Sequence, residues 1–274
     1  MFLTVVPQFA AREEREMKIE NYGAGQRCAA VMRLLLSFCE EHRCSHIDRI
    51  IILPIPTSRD GVHISGSDRL VSEISGMVSA RDAVCGYAIP KKDRERMLCR
   101  GARVYDAAED EAFLSENARL TAEGALGYIL TGSKKSVKDM KIGVVGYGRI
   151  GKYLVHMLLS MGASVRVYTS KNATRVYLGE CGVESEYMAR DADAIPNLSG
   201  LDCVINTAPT HLGKTFADGI PKGLSVIELA SGDNFPGVAG VLHLPSVPDR
   251  LYPESSAELY FDGIKGCLFG GGEL

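Results

Sequence analysis

Apolar residues follow two different spacings that alternate along the chain. They recur with helical spacing over residues 26–42 and again over 109–130. Short continuous apolar runs, such as RIIILPI at 49–55 and KIGVV at 141–145, have the length of buried strands. Because helix and strand patterns alternate rather than segregate, the sequence predicts an α/β fold with parallel sheets.

A polar break, TGSKKS at 131–136, separates two such regions. Before it, the pattern also predicts a helix at 70–78 and strands at 84–88 and 102–105. After it, helices are predicted at 150–161, from 173, and at 253–264, with strands at 164–169, 182–187, 201–207, 224–229 and 241–244. We therefore predict two α/β domains, residues 1–133 and 134–274, the second being a doubly wound parallel sheet of the Rossmann type.

Composition narrows the class of protein. The 274 residues are 46% hydrophobic and carry a formal net charge of -3, which gives no electrostatic reason to expect nucleic acid or an acidic membrane as a partner. The apolar runs are too short to span a bilayer, and the first residues, MFLTVVPQFAAREERE, have no basic region of a secretory signal. We expect a cytoplasmic protein whose eight cysteines are reduced.

One cluster of metal-ligand residue types is present, in CEEHRCSH. It contains Cys39, His42, Cys44 and His46, but the spacing fits no zinc-finger template. If residues 26–43 are helical, Cys39 lies on an apolar face with Leu35 and Leu36. The sequence therefore favours a core cysteine at the end of a helix, and we expect no metal.

A glycine motif follows the strand KIGVV. Gly146, Gly148 and Gly151 form G-x-G-x-x-G directly after a predicted strand, and Arg149 and Ile150 open the helix that follows. The first glycine permits a tight turn, the second lets a pyrophosphate approach the backbone, and the third lets helix and strand pack closely. The helix N-terminus offers N–H groups to the phosphates. These five residues are predicted to bind a dinucleotide.

The end of the next strand indicates which dinucleotide is bound. A site for NAD usually carries Asp or Glu there to hold the ribose 2′-hydroxyl. This chain instead has Thr169, Ser170 and Lys171, with Arg175 one turn further on. Hydroxyl groups and cations suit a 2′-phosphate, so the sequence favours NADP, with NAD left as an alternative.

Three further segments follow strands of the same sheet, where the chemistry of this fold takes place. They are INTAPTHLGK at 205–214, IELASGDNFPG at 227–237 and HLPSVPDRLYPESSAE at 243–258. Asn206, Thr207 and Ala208 are predicted to contact the nicotinamide side of the cofactor or the substrate, although Thr207 equally fits ordinary turn chemistry. His211 and His243 are weaker candidates for a proton carrier.

Several segments in order, from about residue 50 to the end, are similar to one known family. They are ILPIP (52–56), NARLTAEGAL (117–126), GVVGYGRIGKYL (143–154), VINTAP (204–209), IELAS (227–231) and LPSVPDRLYPESSAE (244–258). Together they resemble the A subunit of dipicolinate synthase, an enzyme of spore-forming bacteria. Where that family usually has Pro-Gly-Gly after the D/E-L-A-S strand, this chain has GDNFPG.

The resemblance implies NADP-dependent oxidation of a dihydropyridine dicarboxylate, dihydrodipicolinate, to the aromatic diacid. Two substrate carboxylates would be held by cations, for which Arg59, Arg119 and Arg250 are candidates, while Thr121 and Glu123 would line the same cleft. We predict Asn206, Glu123 and Arg250 as catalytic residues, Asn206 because of its position at the end of a strand. The resemblance also implies a flavoprotein-like partner, the B subunit of that enzyme, and we expect a homo-oligomer.

Two alternatives remain open from the sequence. A 2-hydroxyacid dehydrogenase would have a similar two-domain layout, but it normally uses a late histidine with a glutamate, and no histidine follows His243. A regulatory protein that binds NAD(P) without catalysis is the other alternative, because no obvious acid–base constellation is present.

Overall fold

The structure is a computed structural model, and it describes residues 17–42, 46–189, 197–209, 219–232, 234–235 and 238–269. By packing, the chain divides into two compact units. One comprises residues 1–23, 32–107 and 262–274, and the other comprises residues 24–31 and 108–261. Both are α/β units with parallel sheets, which confirms the predicted fold class. The domain boundary predicted at residue 133 stays a prediction.

The first unit is built on a four-stranded parallel sheet with strands in sequence order. Its strands are β1 (Lys18–Asn21), β2 (Arg49–Ile52), β3 (Asp82–Gly86) and β4 (Arg103–Asp106). Helices α2 (Val71–Met77) and α3 (Lys91–Cys99) belong to this unit, as does most of α1 (Gln26–Glu41). Its core is aliphatic and includes Ile51, Leu53, Ile64, Ile74, Val84 and Met97.

Two elements of this unit were not predicted. Strand β1 has the sequence KIEN and helix α3 has the sequence KKDRERMLC, so neither shows an apolar run or stripe. In α3 the one buried side chain is Met97. The expectation for Leu36 was wrong, since that side chain is 53% exposed while Leu35 is fully buried and Cys39 is partly buried. Cys44 lies outside the described residues.

The second unit has a six-stranded parallel sheet in the order β10-β9-β8-β5-β6-β7. The strands are β5 (Lys141–Val145), β6 (Ser164–Thr169), β7 (Glu184–Tyr187), β8 (Cys203–Asn206), β9 (Ser225–Glu228) and β10 (Val241–His243). Counted from β5, this is the Rossmann order 3-2-1-4-5-6 read from the other edge. The strand order reverses between β5 and β8, and a crevice forms at the carboxyl ends of the strands at such a point.

Helices cover this sheet as the doubly wound pattern requires. They are α4 (Glu111–Gly132), α5 (Arg149–Ser160), α6 (Asn172–Glu180), α7 (Val247–Leu251) and α8 (Pro253–Phe269), the last of which extends into the first unit. Because side chains alternate along a strand, Val144 and Val145 enter different cores. Val144 packs with Leu154 of α5, whereas Val145 packs on the other face with Tyr168.

Two further properties concern only the described residues. None of their helices has both the length and the apolar character needed to cross a membrane. They contain no group of three or more His, Cys, Asp or Glu side chains that could hold a metal ion.

The packing of α4 against α7 gives a matched pair of substitutions. A β-carbon at Gly124 would collide with Val247 Cγ1 and lie 3.0 Å from Leu251 Cδ1, whereas one at Gly127 would meet nothing within 4 Å. We expect Gly127→Ala to stabilise the protein by about 0.5–1 kcal/mol through helix propensity. Gly124→Ala should destabilise it by roughly 1 kcal/mol, because overpacking outweighs the same gain. Urea unfolding of both variants measures the difference, and equal shifts would contradict this packing.

Candidate functional site

A cleft of about 180 Å³ opens at the carboxyl ends of β5, β6 and β8. The residues that line it include Gly146, Gly148, Thr169, Lys171, Thr207 and Ala208. It therefore lies at the point where the strand order reverses, and it gathers three of the segments that the sequence singled out.

The turn between β5 and α5 requires glycine at two positions. Gly146 has φ +91°, and its N–H donates to the carbonyl oxygen of Tyr168 at 2.8 Å. A β-carbon at Gly146 would lie 2.9 Å from both Ala208 Cβ and Thr207 Oγ1. A β-carbon at Gly151 would collide with the carbonyl oxygen of Gly146. These contacts allow α5 to start close to the end of β5.

Gly148 differs from the other two glycines. It is the residue that caps the N-terminus of α5, its φ is -83°, and no atom lies within 4 Å of the position of a β-carbon. The first amides of a helix have no acceptor within the helix, so they can bind an anion in this open space. The turn thus fits a dinucleotide pyrophosphate.

The two residues between the glycines are held by the protein itself. Arg149 donates to both carboxylate oxygens of Glu111 at 2.9 and 2.6 Å, and this contact lowers the pKa of Glu111. Ile150 is partly buried against the core beneath α5. Arg149 is therefore engaged with the first turn of α4, and its predicted role at the phosphates stays a prediction.

The end of β6 presents hydroxyl groups and one cation, Lys171, to the cleft, and Arg175 follows on α6. Thr169 is buried, and its Oγ1 accepts from the Lys171 amide at 3.2 Å. Ser170 and Lys171 line the cleft beside it. The Nε atom of Arg175 is buried and has no hydrogen-bond partner among the described residues. Within that part of the chain, no ion pair joins Lys171 or Arg175 to a carboxylate.

The end of β8 supplies another wall of the cleft. Thr207 donates its hydroxyl hydrogen to the carbonyl oxygen of Val145 at 2.9 Å and lines the cleft together with Ala208. Asn206 is fully buried, and its Oδ1 accepts from the Ala208 amide at 3.1 Å. Both polar groups of the Asn206 side chain are bonded to protein groups, because its Nδ2 donates to Glu228. Its predicted catalytic role stays a prediction.

Glu228 is a site residue that the sequence analysis did not single out. It is the last residue of β9 and is 3% exposed. Its carboxylate accepts from Asn206 Nδ2 at 3.2 and 3.0 Å and from the Ala230 amide at 2.7 Å. Burial raises the pKa of this carboxyl, while the hydrogen bond from Asn206 opposes that shift. The available signal was an acidic residue closing the apolar run of a predicted strand.

Three predicted site residues, Arg119, Thr121 and Glu123, lie on α4, and Arg119 and Glu123 are in contact. Arg119 is bonded to Glu123 at 2.8 Å and to Glu116 at 2.7 Å, so two carboxylates offset its charge. Thr121 is buried and donates its hydroxyl hydrogen to the Asn117 carbonyl within the same helix at 2.8 Å. A dicarboxylate would therefore compete with Glu116 and Glu123 for Arg119.

The remaining candidates lie on other elements. Arg250 is exposed on α7, and Arg59 is exposed in the loop after β2 of the first unit. His243 ends β10 in register with Glu228. His211 lies outside the described residues. The assignments of Arg59, Arg119, Thr121, Glu123 and Arg250 to substrate or catalysis stay predictions.

Comparison with known proteins supports the cofactor site. Residues 117–209 match the family model described as the D-isomer specific 2-hydroxyacid dehydrogenase, NAD binding domain. This segment contains the glycine turn, the end of β6 and the end of β8. No curated protein matches the chain in a sequence comparison.

Solved structures share the fold over nearly the whole chain. The dipicolinate synthase A subunit from Bacillus halodurans superposes with a TM-score of 0.70 at 19% identity, covering 92% of this chain and 98% of that one. Its counterpart from the dipicolinate synthase of Bacillus subtilis gives 0.68 at 17% identity, covering 92% and 95%. A transhydrogenase from Sinorhizobium meliloti gives 0.54 at 20% identity, covering 79% and 71%.

The fold and the domain matched over residues 117–209 support a class of protein, the NAD(P)-dependent oxidoreductases. The cofactor is a nicotinamide dinucleotide. Within that class, the resemblance to the dipicolinate synthase A subunit that the sequence indicated is confirmed at the level of the fold.

Substitution of Gly148 should weaken cofactor binding without affecting folding. Because its backbone conformation suits alanine and the space beside it is open, Gly148→Ala should fold with an unchanged melting temperature. Its methyl group would occupy the space meant for the pyrophosphate, and we expect the affinity for NADP(H) to fall at least about tenfold. Gly151→Ala is the contrasting variant, since its β-carbon meets backbone and should destabilise the fold. Full cofactor affinity in Gly148→Ala would refute this placement of the phosphates.

Proposed function

We propose that the protein is an NADP-dependent oxidoreductase that oxidises a small cyclic dicarboxylate of the dihydrodipicolinate type to dipicolinate. The observation that carries the choice of cofactor is the group of Thr169, Ser170 and Lys171 at the end of β6, where no carboxylate closes the strand. The substrate class is supported by the fold shared with the dipicolinate synthase A subunit. We further propose a cytoplasmic role in bacterial sporulation.

The choice of NADP over NAD rests on charge. The strand pair β5–β6 ends beside Thr169, Ser170 and Lys171, and no carboxylate ends β6 to bind a ribose 2′-hydroxyl. Lys171 and Arg175 would hold a 2′-phosphate, with hydrogen bonds from the hydroxyls of Thr169 and Ser170.

Charge removal at this position tests the preference. We expect Lys171→Ala to weaken NADPH binding by about tenfold, because a charge-assisted hydrogen bond is lost, and to leave NADH binding unchanged. Lys152→Ala is the matched control, since Lys152 is an exposed cation on α5 outside the lining of the cleft. Titration of both cofactors by fluorescence measures the affinities. Tighter binding of NADH than of NADPH by the wild type would refute the preference.

The residues of this chain would orient the reactants and exclude water. When bound, the oxidised cofactor supplies the hydride acceptor, and aromatisation of the ring favours the direction of the reaction. Thr207 and Ala208 line the wall of the cleft at the end of β8. Arg250 is an exposed cation of the second unit that would bind a substrate carboxylate, whereas Arg119 of the same unit would first have to leave its two glutamates.

An activity assay tests whether dihydrodipicolinate is the substrate. With dihydrodipicolinate as substrate, we expect the protein to reduce NADP+. The absorbance of the reduced nicotinamide measures the rate of this reaction. The assay is run with the chain alone and with a flavoprotein-like B subunit, which we propose as a partner of a homo-oligomer of this chain. Binding of NADPH without turnover in either assay would favour a regulatory protein.

A second candidate is favoured by the match of residues 117–209 to the NAD-binding domain of D-isomer specific 2-hydroxyacid dehydrogenases. Such an enzyme would reduce a 2-oxoacid. Oxidation of D-2-hydroxyacids in the same assay, without activity on dihydrodipicolinate, would support it.

A further inference from the structure

The end of β9 holds a buried acid next to the cofactor cleft. Glu228 is 3% exposed and Asn206 is fully buried, so both polar side chains lie in the interior at the carboxyl edge of the sheet. The two residues are in register on neighbouring parallel strands. A buried carboxyl is costly unless hydrogen bonds compensate it, and Asn206 and the Ala230 amide provide them.

These bonds form a continuous chain to the wall of the cleft. Glu228 accepts from Asn206 Nδ2, and Asn206 Oδ1 in turn accepts from the amide of Ala208. Ala208 lines the cleft and lies against Gly146, where a β-carbon would come within 2.9 Å of Ala208 Cβ. The carboxylate thus fixes which way the Asn206 amide faces, and Asn206 fixes the backbone that faces the glycine turn.

We propose that Glu228 is a positioning residue for the cofactor, whose carboxylate holds Asn206 and, through it, the Thr207–Ala208 wall of the cleft in the binding geometry. The inference rests on the proposed function, because it concerns binding of a nicotinamide dinucleotide. Glu228 acts through Asn206 and does not line the cleft itself.

We expect the contact between Glu228 and Asn206 to depend on pH. Among the described residues, the groups that face Glu228 are Asn206 from β8, Ala230 and Asn234 from the segment after β9, and His243 from β10. His243 is the titratable one among them. Protonation of Glu228 replaces an acceptor by a donor that faces N–H groups, so the hold on Asn206 weakens.

The direction of the pH effect follows from burial. Burial raises the pKa of Glu228 above the ordinary glutamate value of about 4.3, so its proton binds at higher pH than on an exposed side chain. Folding therefore favours the neutral acid, and ionisation of Glu228 lowers the stability of the folded state as the pH rises through the raised pKa. Cofactor affinity should change in the opposite sense and increase with pH over the same interval.

The test compares NADP+ affinity in wild type and Glu228→Gln across pH, with the ratio of the two dissociation constants as the measured quantity. A 2′-phosphate titrates near pH 6 in the manner of other phosphate monoesters, but this contribution cancels in the ratio. At the alkaline end of the pH series, where Glu228 is most ionised, the variant should bind about tenfold more weakly, since the amide cannot accept all the N–H bonds. The ratio should approach one as the pH falls and Glu228 becomes neutral.

The His243→Asn background controls for titration of the neighbouring imidazole. The same ratio measured in a His243→Asn background should keep its dependence on pH, because the carboxyl and not the imidazole is responsible. A ratio that is constant across pH, with a lowered melting temperature in Glu228→Gln, would show a purely structural residue and overturn the proposal alone. Failure of the wild type to bind NADP+ at any pH would overturn the proposed function together with it.

Discussion

The site depends on the close approach of Gly151 to the carbonyl group of Gly146, which no side chain larger than hydrogen at Gly151 would permit. This contact lets α5 begin directly after β5, so that its first amides face the cleft. Gly146, at φ +91°, turns the chain at that point, and Thr207 fixes the same turn from β8 through its bond to the Val145 carbonyl. The geometry of the cleft is therefore set by backbone packing rather than by charged side chains.

Buried polar contacts add a second layer of constraint at the neighbouring strand ends. Glu228 and Asn206 occupy positions where an apolar pair would satisfy the core, and their burial lowers stability unless every hydrogen bond is made. The hydrogen bonds between Glu228 and Asn206 connect the end of β9 to the end of β8. On α4, by contrast, Arg119 lies between Glu116 and Glu123 at the surface, where such pairs contribute little to stability.

Much of the fold could be predicted from the sequence because its elements carry their own periodicity. KIGVV and SVRVYT lie on β5 and β6 with the predicted bounds: the first is apolar after its lysine, and in the second the two valines alternate with polar residues. Strand β1 and helix α3 were missed because their residues are mostly polar and tertiary context stabilises them. At the site, the glycine turn was predictable from spacing, whereas the pairing of Glu228 with Asn206 depends on strand register, which local patterns do not specify.

The hydroxyl group of Thr207 makes one side of the cleft a hydrogen-bond acceptor. Its single hydrogen is donated to the Val145 carbonyl, so its free lone pairs can only accept. An acceptor repels phosphate oxygens but suits the hydroxyls of a sugar. The opposite wall, with Lys171 and the first amides of α5, offers donors. The cleft therefore has two chemically different sides, with donors at Lys171 and the start of α5 and an acceptor at the end of β8.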